Sequence, residues 1–305
     1  MNRAENIIRH SEAKTEIFAG LPEDRPFPHS HYTLRYRLEA WISLHLFDNL
    51  TYTVRHGLLK GMKRKGGLAW FPRILSGDGL DAEEQFLLRL NFAGATVYDI
   101  GACQGLVTLF LARRAKTVVC FEPNTQNHKR LMENLALNGA ENVNVRKVGV
   151  GSRPESRRMV GSPIMRGIAS VDQKSVEEFS RIWTKPVTEE ISIVALDDEI
   201  PQAGLPAPDF IKIDVEGWEL EVLRGASNTL ALYKPALFLE MHGETVREKK
   251  RKAAEIVAFL WEQSYRSIRH IETGTMISPE NSGVCSEGHI HCSASPAKCV
   301  LGDGR

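Results

Sequence analysis

The sequence predicts an α/β protein built on a doubly wound, mostly parallel sheet and preceded by a helical N-terminal extension. Three observations carry that expectation. From residue 80 onward, short β-branched runs alternate with amphipathic helical stretches. One junction, Thr96–Gly105 (TVYDIGACQG), reads as strand, glycine turn and then helix. The next apolar run, Thr117–Phe121, ends in an acid, Glu122, 122 − 99 = 23 residues after Asp99.

Taken in order, residues 1–30 are polar and proline-punctuated and read as a loose arm. Leu34, Leu38, Trp41, Ile42 and Leu46 then recur at helical steps and form one apolar stripe. That stripe must bury against the main domain or a second chain, so it reads as a packing cap, as a lid over an acceptor pocket, or as a homo-oligomer contact. Lys60–Lys65 (KGMKRK) reads as a solvated basic loop. Asp81-Ala-Glu-Glu84 is a capping box that opens a helix through Leu90. The strand at Thr96, the helix Leu106–Arg114 and the strand Thr117–Phe121 follow. A helix over Thr125–Asn138 stops at Gly139, and Val143–Val150 reads as a third strand.

Gly151–Val187 is irregular and reads as hairpins and loops laid over one end of the sheet. Ile191–Leu196, Asp209–Asp214 and Pro235–Met241 read as strands, with helices through Glu219–Arg224 and Val246–Trp261. Tyr265–Ile271 and His289–Ala294 close the sheet. The domain reading is an arm and helical extension at 1–79 and a catalytic domain at 80–305.

The turn is not the dinucleotide fingerprint, which needs G-x-G-x-x-G. Here Asp99 closes the strand and Gly101 and Gly105 stand four apart. Free N–H groups in such a turn receive a polar ligand, and Gly101 lets it approach the backbone. A carboxylate at the turn suits a cationic amino-acid moiety, and one at the second strand suits ribose hydroxyls. This favours S-adenosylmethionine (SAM) over NAD, with an NAD-linked oxidoreductase as the weaker alternative.

Composition narrows the setting. Of 305 residues, 42% are apolar and 25% charged, as in an ordinary globular chain. The net charge of +1 gives no global field that would favour nucleic acid. No apolar run is long enough to span a bilayer, and the first residues lack the apolar core of a secretory signal. Five cysteines, sparse and odd in number, suggest reduced thiols and a cytoplasmic setting.

With these residues in hand, the sequence resembles the FkbM family of SAM-dependent methyltransferases over roughly Leu80 to Pro296. The blocks are Val97-Tyr-Asp-Ile-Gly-Ala102 with Gly105, Phe121-Glu-Pro123, Asn134 with Asn138, and Leu196-Asp-Asp198. The sharpest, Ile211-Lys-Ile-Asp-Val-Glu-Gly-Trp-Glu219, is followed by Val222–Ala226 and Pro235–Glu240. The resemblance implies a Rossmann-like class I methyltransferase fold of seven strands, the last antiparallel. It also implies O-methyl transfer to a hydroxyl of a sugar, polyketide or similar small metabolite. Cofactor contacts are expected from Asp99, Gly101, Ala102, Gly105, Glu122, Pro123, Gly149, Val150 and Asp214. Two departures stand out: Gly149-Val-Gly-Ser152 ends in Ser152 where the family has an acid, and Trp218 replaces a smaller residue.

For the chemistry, the expected set is His242 as base, Asp214 as positioner, and Glu216 and Glu240 as supporting acids. His242 is assigned on an ordinary pKa near 6.5, and Glu216 is taken to open a helix. No metal site is assigned. A divalent metal on these acids is the less favoured rival, and Cys285, His289, His291, Cys292 and Cys299 do not space as a zinc site. A catalytically silent, partner-binding version of the fold remains the other alternative.

Overall fold

The computed structural model describes residues 45–66, 80–163, 169–173, 185–243 and 245–294, together with 38, 41, 42, 176, 177 and 180. The expected arm at 1–30, Leu34 and Cys299 lie outside the described residues.

A hairpin comes first, β1 (Thr51–Thr53) against β2 (Lys63–Lys65). Helix α1 (Ala82–Arg89) opens on the expected capping box, with Glu84 N donating to Asp81 Oδ1 at 2.8 Å. The first half of the main domain is β3 (Thr96–Ile100), α2 (Leu106–Ala112), β4 (Thr117–Phe121), α3 (Thr125–Leu137) and β5 (Val143–Arg146). A side layer follows: β6 (Gly149–Val150), β7 (Glu155–Gly161), β8 (Ala169–Ser170) and β9 (Val187–Val194). The second half comprises α4 (Leu196–Gln202), β10 (Phe210–Ile213), α5 (Glu219–Arg224), α6 (Ser227–Tyr233) and β11 (Ala236–Glu240). The chain then runs through α7 (Val246–Glu262), β12 (Ser267–His270), β13 (Met276–Ile277) and β14 (His289–Ser293).

The main sheet runs β13-β12-β14-β11-β10-β3-β4-β5. Strands β5, β4, β3, β10 and β11 are parallel, and the last strand, β14, inserts antiparallel between β11 and β12. These are the seven strands expected, with two-residue β13 added at the edge. The chain leaves β3 in one direction through β4 and β5 and returns on the other side through β10. That reversal opens a crevice beyond the carboxyl ends of β3 and β10. Strand alternation gives each face its own core. Tyr98, Ile100, Ile211 and Ile213 pack on one side, and Val97, Phe210 and Phe238 on the other.

Three expectations change. Val143–Val150 is not one strand: it breaks after Arg146, and Gly149–Val150 pairs with β9 in the side sheet. Ile191–Val194 is the end of a longer strand, which begins at the edge of the region read as irregular and pairs antiparallel with β7, while Leu196 opens α4 instead. And Leu38, Trp41 and Leu46 are 56%, 48% and 68% exposed, so these three of the stripe are not buried against the described residues, while Ile42 is partly buried. What does pack is the hairpin after it. Leu59 and Met62 enter the core beside Phe92 and Leu109.

Asn134 and Asn138 hold that hairpin. Asn138 Oδ1 accepts from Lys63 N at 2.8 Å and its Nδ2 donates to Lys63 O at 2.7 Å. Asn134 Oδ1 accepts from Lys65 N, while its Nδ2 donates to Gln104 O in the glycine turn. Deletion of residues 1–75 would strip these contacts from the core. We expect that deletion to lower the melting temperature, whereas deletion of 1–44 leaves it within a few degrees; thermal denaturation of both truncations checks this.

Gly101 is the tightest point of the fold. Its φ is +87°, and a Cβ there would lie 1.8 Å from Asp214 O. The close approach expected for a ligand is made first by the chain's own backbone. Gly101→Ala is expected to cost about 3 kcal/mol or more, the sum of strain and displacement of the end of β10, measured by chemical denaturation.

Candidate active site

A cavity occupies the crevice, lined in part by Gly101, Cys103, Glu122, Pro123, Gly149, Val150, Asp214, Glu216 and Trp218. Six of the nine residues expected to touch a cofactor therefore line it. Asp99, Ala102 and Gly105 do not. The Asp99 side chain points into the sheet's buried face, where Thr108 Oγ1 donates to its Oδ2 at 2.6 Å. Ala102 is buried under the turn. Gly105, at φ +84°, faces Leu131, whose Cδ1 would lie 2.4 Å from an added Cβ. It is glycine so that α2 and α3 can approach.

The turn also differs from expectation in what it offers. Gly101 N and Ala102 N both donate to Phe121 O, Gly105 N donates to Ala102 O, and Cys103 N donates to Glu122 Oε2. Those N–H groups are spent inside the fold, so the turn does not present them to a diphosphate.

Glu122 is the group that is presented. Its side chain lines the cavity, with Oε2 accepting from Cys103 N and Oε1 from Asn124 N, each at 2.8 Å. The Asn127 side chain also hydrogen-bonds this carboxylate, which borders the cavity. Burial pushes its pKa up to about 8 against the lowering effect of the two N–H donors. Trp218 forms a neighbouring wall, with the Arg157 guanidinium 4.4 Å over its ring.

Asp214 connects this cavity to a second group of side chains. Just past β10, its Oδ2 accepts from Lys212 Nζ at 2.9 Å while its Oδ1 stands 3.9 Å from His242 Nε2. Lys212 is buried because register places it directly opposite Asp99, whose Oδ1 lies 3.9 Å from its Nζ. Burial, the largest single influence, lowers the Lys212 pKa, but Asp214, Asp99 and Glu83 together hold it above its ordinary value.

His242, just past β11, is surrounded by carboxylates. Its Nδ1 lies 2.8 Å from Glu219 Oε1, and its Nε2 faces Glu240 Oε1 at 3.6 Å and Glu216 Oε2 at 3.7 Å. Burial lowers the imidazole pKa, but Glu216, Glu240 and Glu219 together hold it well above its ordinary value. The assignment of His242 as base rested on an ordinary imidazole pKa, and the surrounding carboxylates move it upward from there. The same charge, with the Gly217 N–H, lowers Glu219, whereas burial raises Glu216 to about 8.

Glu216 does not open a helix. It sits at φ +52° in the turn before α5, and its carbonyl accepts from Ser170 Oγ.

Sequence reasoning gathered Asp214, Glu216, Glu240 and His242 correctly into one place but missed Glu219 as the acid that orients the imidazole. Glu219 lay inside the sharpest sequence block and was read as a helix residue; its side chain is 1% exposed. His289 was missed as well. Its Nδ1 lies 2.7 Å from Glu272 Oε1, and its Nε2 points at Glu240 Oε2 and Glu83 Oε2, each at 3.8 Å. Register pairs His289 with Glu240 across β11 and β14, a signal that sequence alone could not supply. Cys285 and Cys292 are buried free thiols, and His291 packs on Phe86.

With this geometry described, comparison with known proteins is informative. The family model described as "Methyltransferase FkbM domain" matches residues 99–267. Methyltransferase sdnD of Sordaria araneosa is 28% identical over 192 residues, 55% of this chain and 67% of that protein. Hexuronic acid methyltransferase AglP of Haloferax volcanii is 30% identical over 151 residues, 48% of this chain and 58% of that protein. Methyltransferase 1 of Beauveria bassiana is 26% identical, and the match spans 57% of its length. Among solved structures, an FkbM methyltransferase of Methylobacillus flagellatus is similar at TM-score 0.43 and 20% identity, over 65% of this chain and 43% of that one. The family match covers the glycine turn, Glu122, Asp214, Glu219 and His242, and the chain belongs to the FkbM methyltransferase family.

Proposed function

We propose that this FkbM-family protein binds SAM in the cavity and transfers its methyl group to a hydroxyl oxygen of a small metabolite. The observation that carries the reading is Asp214, which lines the cavity and faces the His242 cluster at once. The residues present fit SAM. Glu122 presents a carboxylate to the cavity that suits ribose hydroxyls, and the turn's spent N–H groups favour a ligand without a diphosphate. Carboxylates at Asp214 and Glu216 suit a cationic ligand. SAM supplies the activated methyl; the protein supplies alignment and electrostatics.

As the acceptor oxygen bonds to the methyl carbon, the carbon–sulfur bond breaks and its electron pair stays on sulfur. With SAM bound, the acceptor's proton would leave towards the Asp214 carboxylate, which borders both the cavity and the His242 cluster. The likeness to a hexuronic acid methyltransferase supports a hydroxyl-rich acceptor. Mass spectrometry of the ligand carried through purification tests the reading: S-adenosylhomocysteine or SAM supports it, and NAD overturns it.

Glu122→Ala is expected to weaken SAM binding by about 2 kcal/mol, the loss of hydrogen bonds to a charged acceptor. The pH dependence has a definite sign. A carboxyl held at about 8 takes up protons on folding between its unfolded value and 8, so it lowers the stability of the ligand-free fold as pH rises through that window. SAM affinity should move oppositely, strengthening from pH 6.5 to 9 as Glu122 ionises. Calorimetry on Glu122→Gln should show this component flattened; an unaltered pH profile would remove Glu122 from the ribose.

A further inference from the structure

We propose that Asp214, Glu240 and His242 form a site for a hard divalent cation, Mn²⁺ or Mg²⁺, beside the methyl-transfer cavity; its catalytic use rests on the proposed methyl transfer, but its existence does not. One ligand atom from each of the three lies within 4.8 Å of the other two. The spacing around His242 Nε2 is the telling feature. Carboxylate oxygens from Glu240, Glu216 and Asp214 surround it at 3.6, 3.7 and 3.9 Å, and it makes no hydrogen bond among the described residues. Those gaps are too long for hydrogen bonds. They match ligands sharing one ion, since atoms each about 2.1–2.3 Å from a cation stand about 3–4 Å apart.

Two of the three side chains, His242 and Asp214, are also held from behind, as metal ligands characteristically are. Glu219, itself fixed by the Gly217 N–H at 2.9 Å, takes His242 Nδ1 and leaves Nε2 aimed at the acids. Lys212 occupies Asp214 Oδ2 and leaves Oδ1 facing Nε2. Behind Glu240, His289 Nε2 makes no hydrogen bond closer than its 3.8 Å approaches to Glu240 Oε2 and Glu83 Oε2 among the described residues, which leaves Glu240 Oε1 facing His242 Nε2. A donor set of carboxylates with one imidazole suits Mn²⁺ ahead of Mg²⁺ and provides none of the thiolates that softer ions prefer. Because Asp214 also borders the cavity, the ion would lie next to the acceptor. There it would bind the hydroxyl oxygen and lower its pKa, so that the proton leaves to solvent or a neighbouring carboxylate before the carbon–oxygen bond forms.

The experiment is a Mn²⁺ titration of the metal-stripped full chain without SAM, with free Mn²⁺ followed by electron paramagnetic resonance. The expected result is one saturable Mn²⁺ per chain, displaced by excess Mg²⁺. Affinity should fall at least 10–100-fold in Glu240→Gln, His242→Gln and Glu219→Gln, and stay unchanged in Glu255→Gln on the exposed face of α7. Thermal unfolding of the wild type gives a readout that needs no variant to fold: Mn²⁺ should raise the melting temperature. No saturable binding at millimolar Mn²⁺, or affinity indifferent to all three site variants, overturns the site. Full methyl transfer in EDTA would overturn the ion's catalytic use while leaving the methyltransferase reading intact. Mn²⁺ binding by a protein that takes no SAM would support the site and sink that reading instead.

Discussion

Lys212→Met is expected to destabilise the fold by about 3–5 kcal/mol, the characteristic cost of removing one partner from a buried ion pair. Lys212 lies in the middle of a parallel strand, its side chain 4% exposed, with acids on two sides. Asp99 Oδ1 is buried and has no hydrogen bond, so the ammonium 3.9 Å away is its compensation. Asp214 would lose its 2.9 Å donor in the same substitution. The double variant Lys212→Met with Asp99→Asn should recover part of the loss, because the second change removes the charge stranded by the first. Equilibrium denaturation of the three proteins checks this. Equal, additive losses would mean that Asp99 and Lys212 are independent.

How much of this was legible in the sequence depended on range. The parallel sheet was legible because strand and helix periods alternate clearly from Thr96 to Asn138 and from Asp209 to Trp261, and because Asp81 and Gly139 mark boundaries chemically. The gathering of Asp214, Glu216, Glu240 and His242 was legible because all follow the ends of two strands that proved adjacent. Pairing across strands was not. Nothing local says that Lys212 faces Asp99 or that His289 faces Glu240; register does. The glycine turn misled for a related reason. Its glycines do adopt positive φ, but Gly101 makes room for Asp214 O and Gly105 for Leu131, both distant in sequence. Its N–H groups looked available only because Phe121 and Glu122 could not yet be placed against them. An ordinary pKa for His242 failed in the same way, since three of the four acids around it come from outside its own strand.

The largest effect on turnover is expected at His242 and Glu219 together. His242→Ala should lower kcat by roughly 10²–10⁴, the range for a group that handles a proton or holds the group that does. SAM affinity should change little, because His242 stands outside the cavity wall that Glu122 and Trp218 form. Glu219→Gln keeps the shape of the side chain and an acceptor oxygen but removes the charge beside Nδ1 at 2.8 Å. If Glu219 acts only by orienting and charging the imidazole, its loss matters only while the imidazole is present. Glu219→Gln should then lower kcat markedly in the wild type and hardly at all in His242→Ala, so the double variant is no slower than His242→Ala alone. Additive losses would separate the two residues and assign Glu219 an effect of its own, such as holding the 215–218 turn through the Gly217 N–H. Glu219→Ala distinguishes that structural role, because it strands the Gly217 N–H as well as Nδ1. A melting temperature that falls in Glu219→Ala but holds in Glu219→Gln, with kcat low in both, places the effect on the imidazole rather than on the turn.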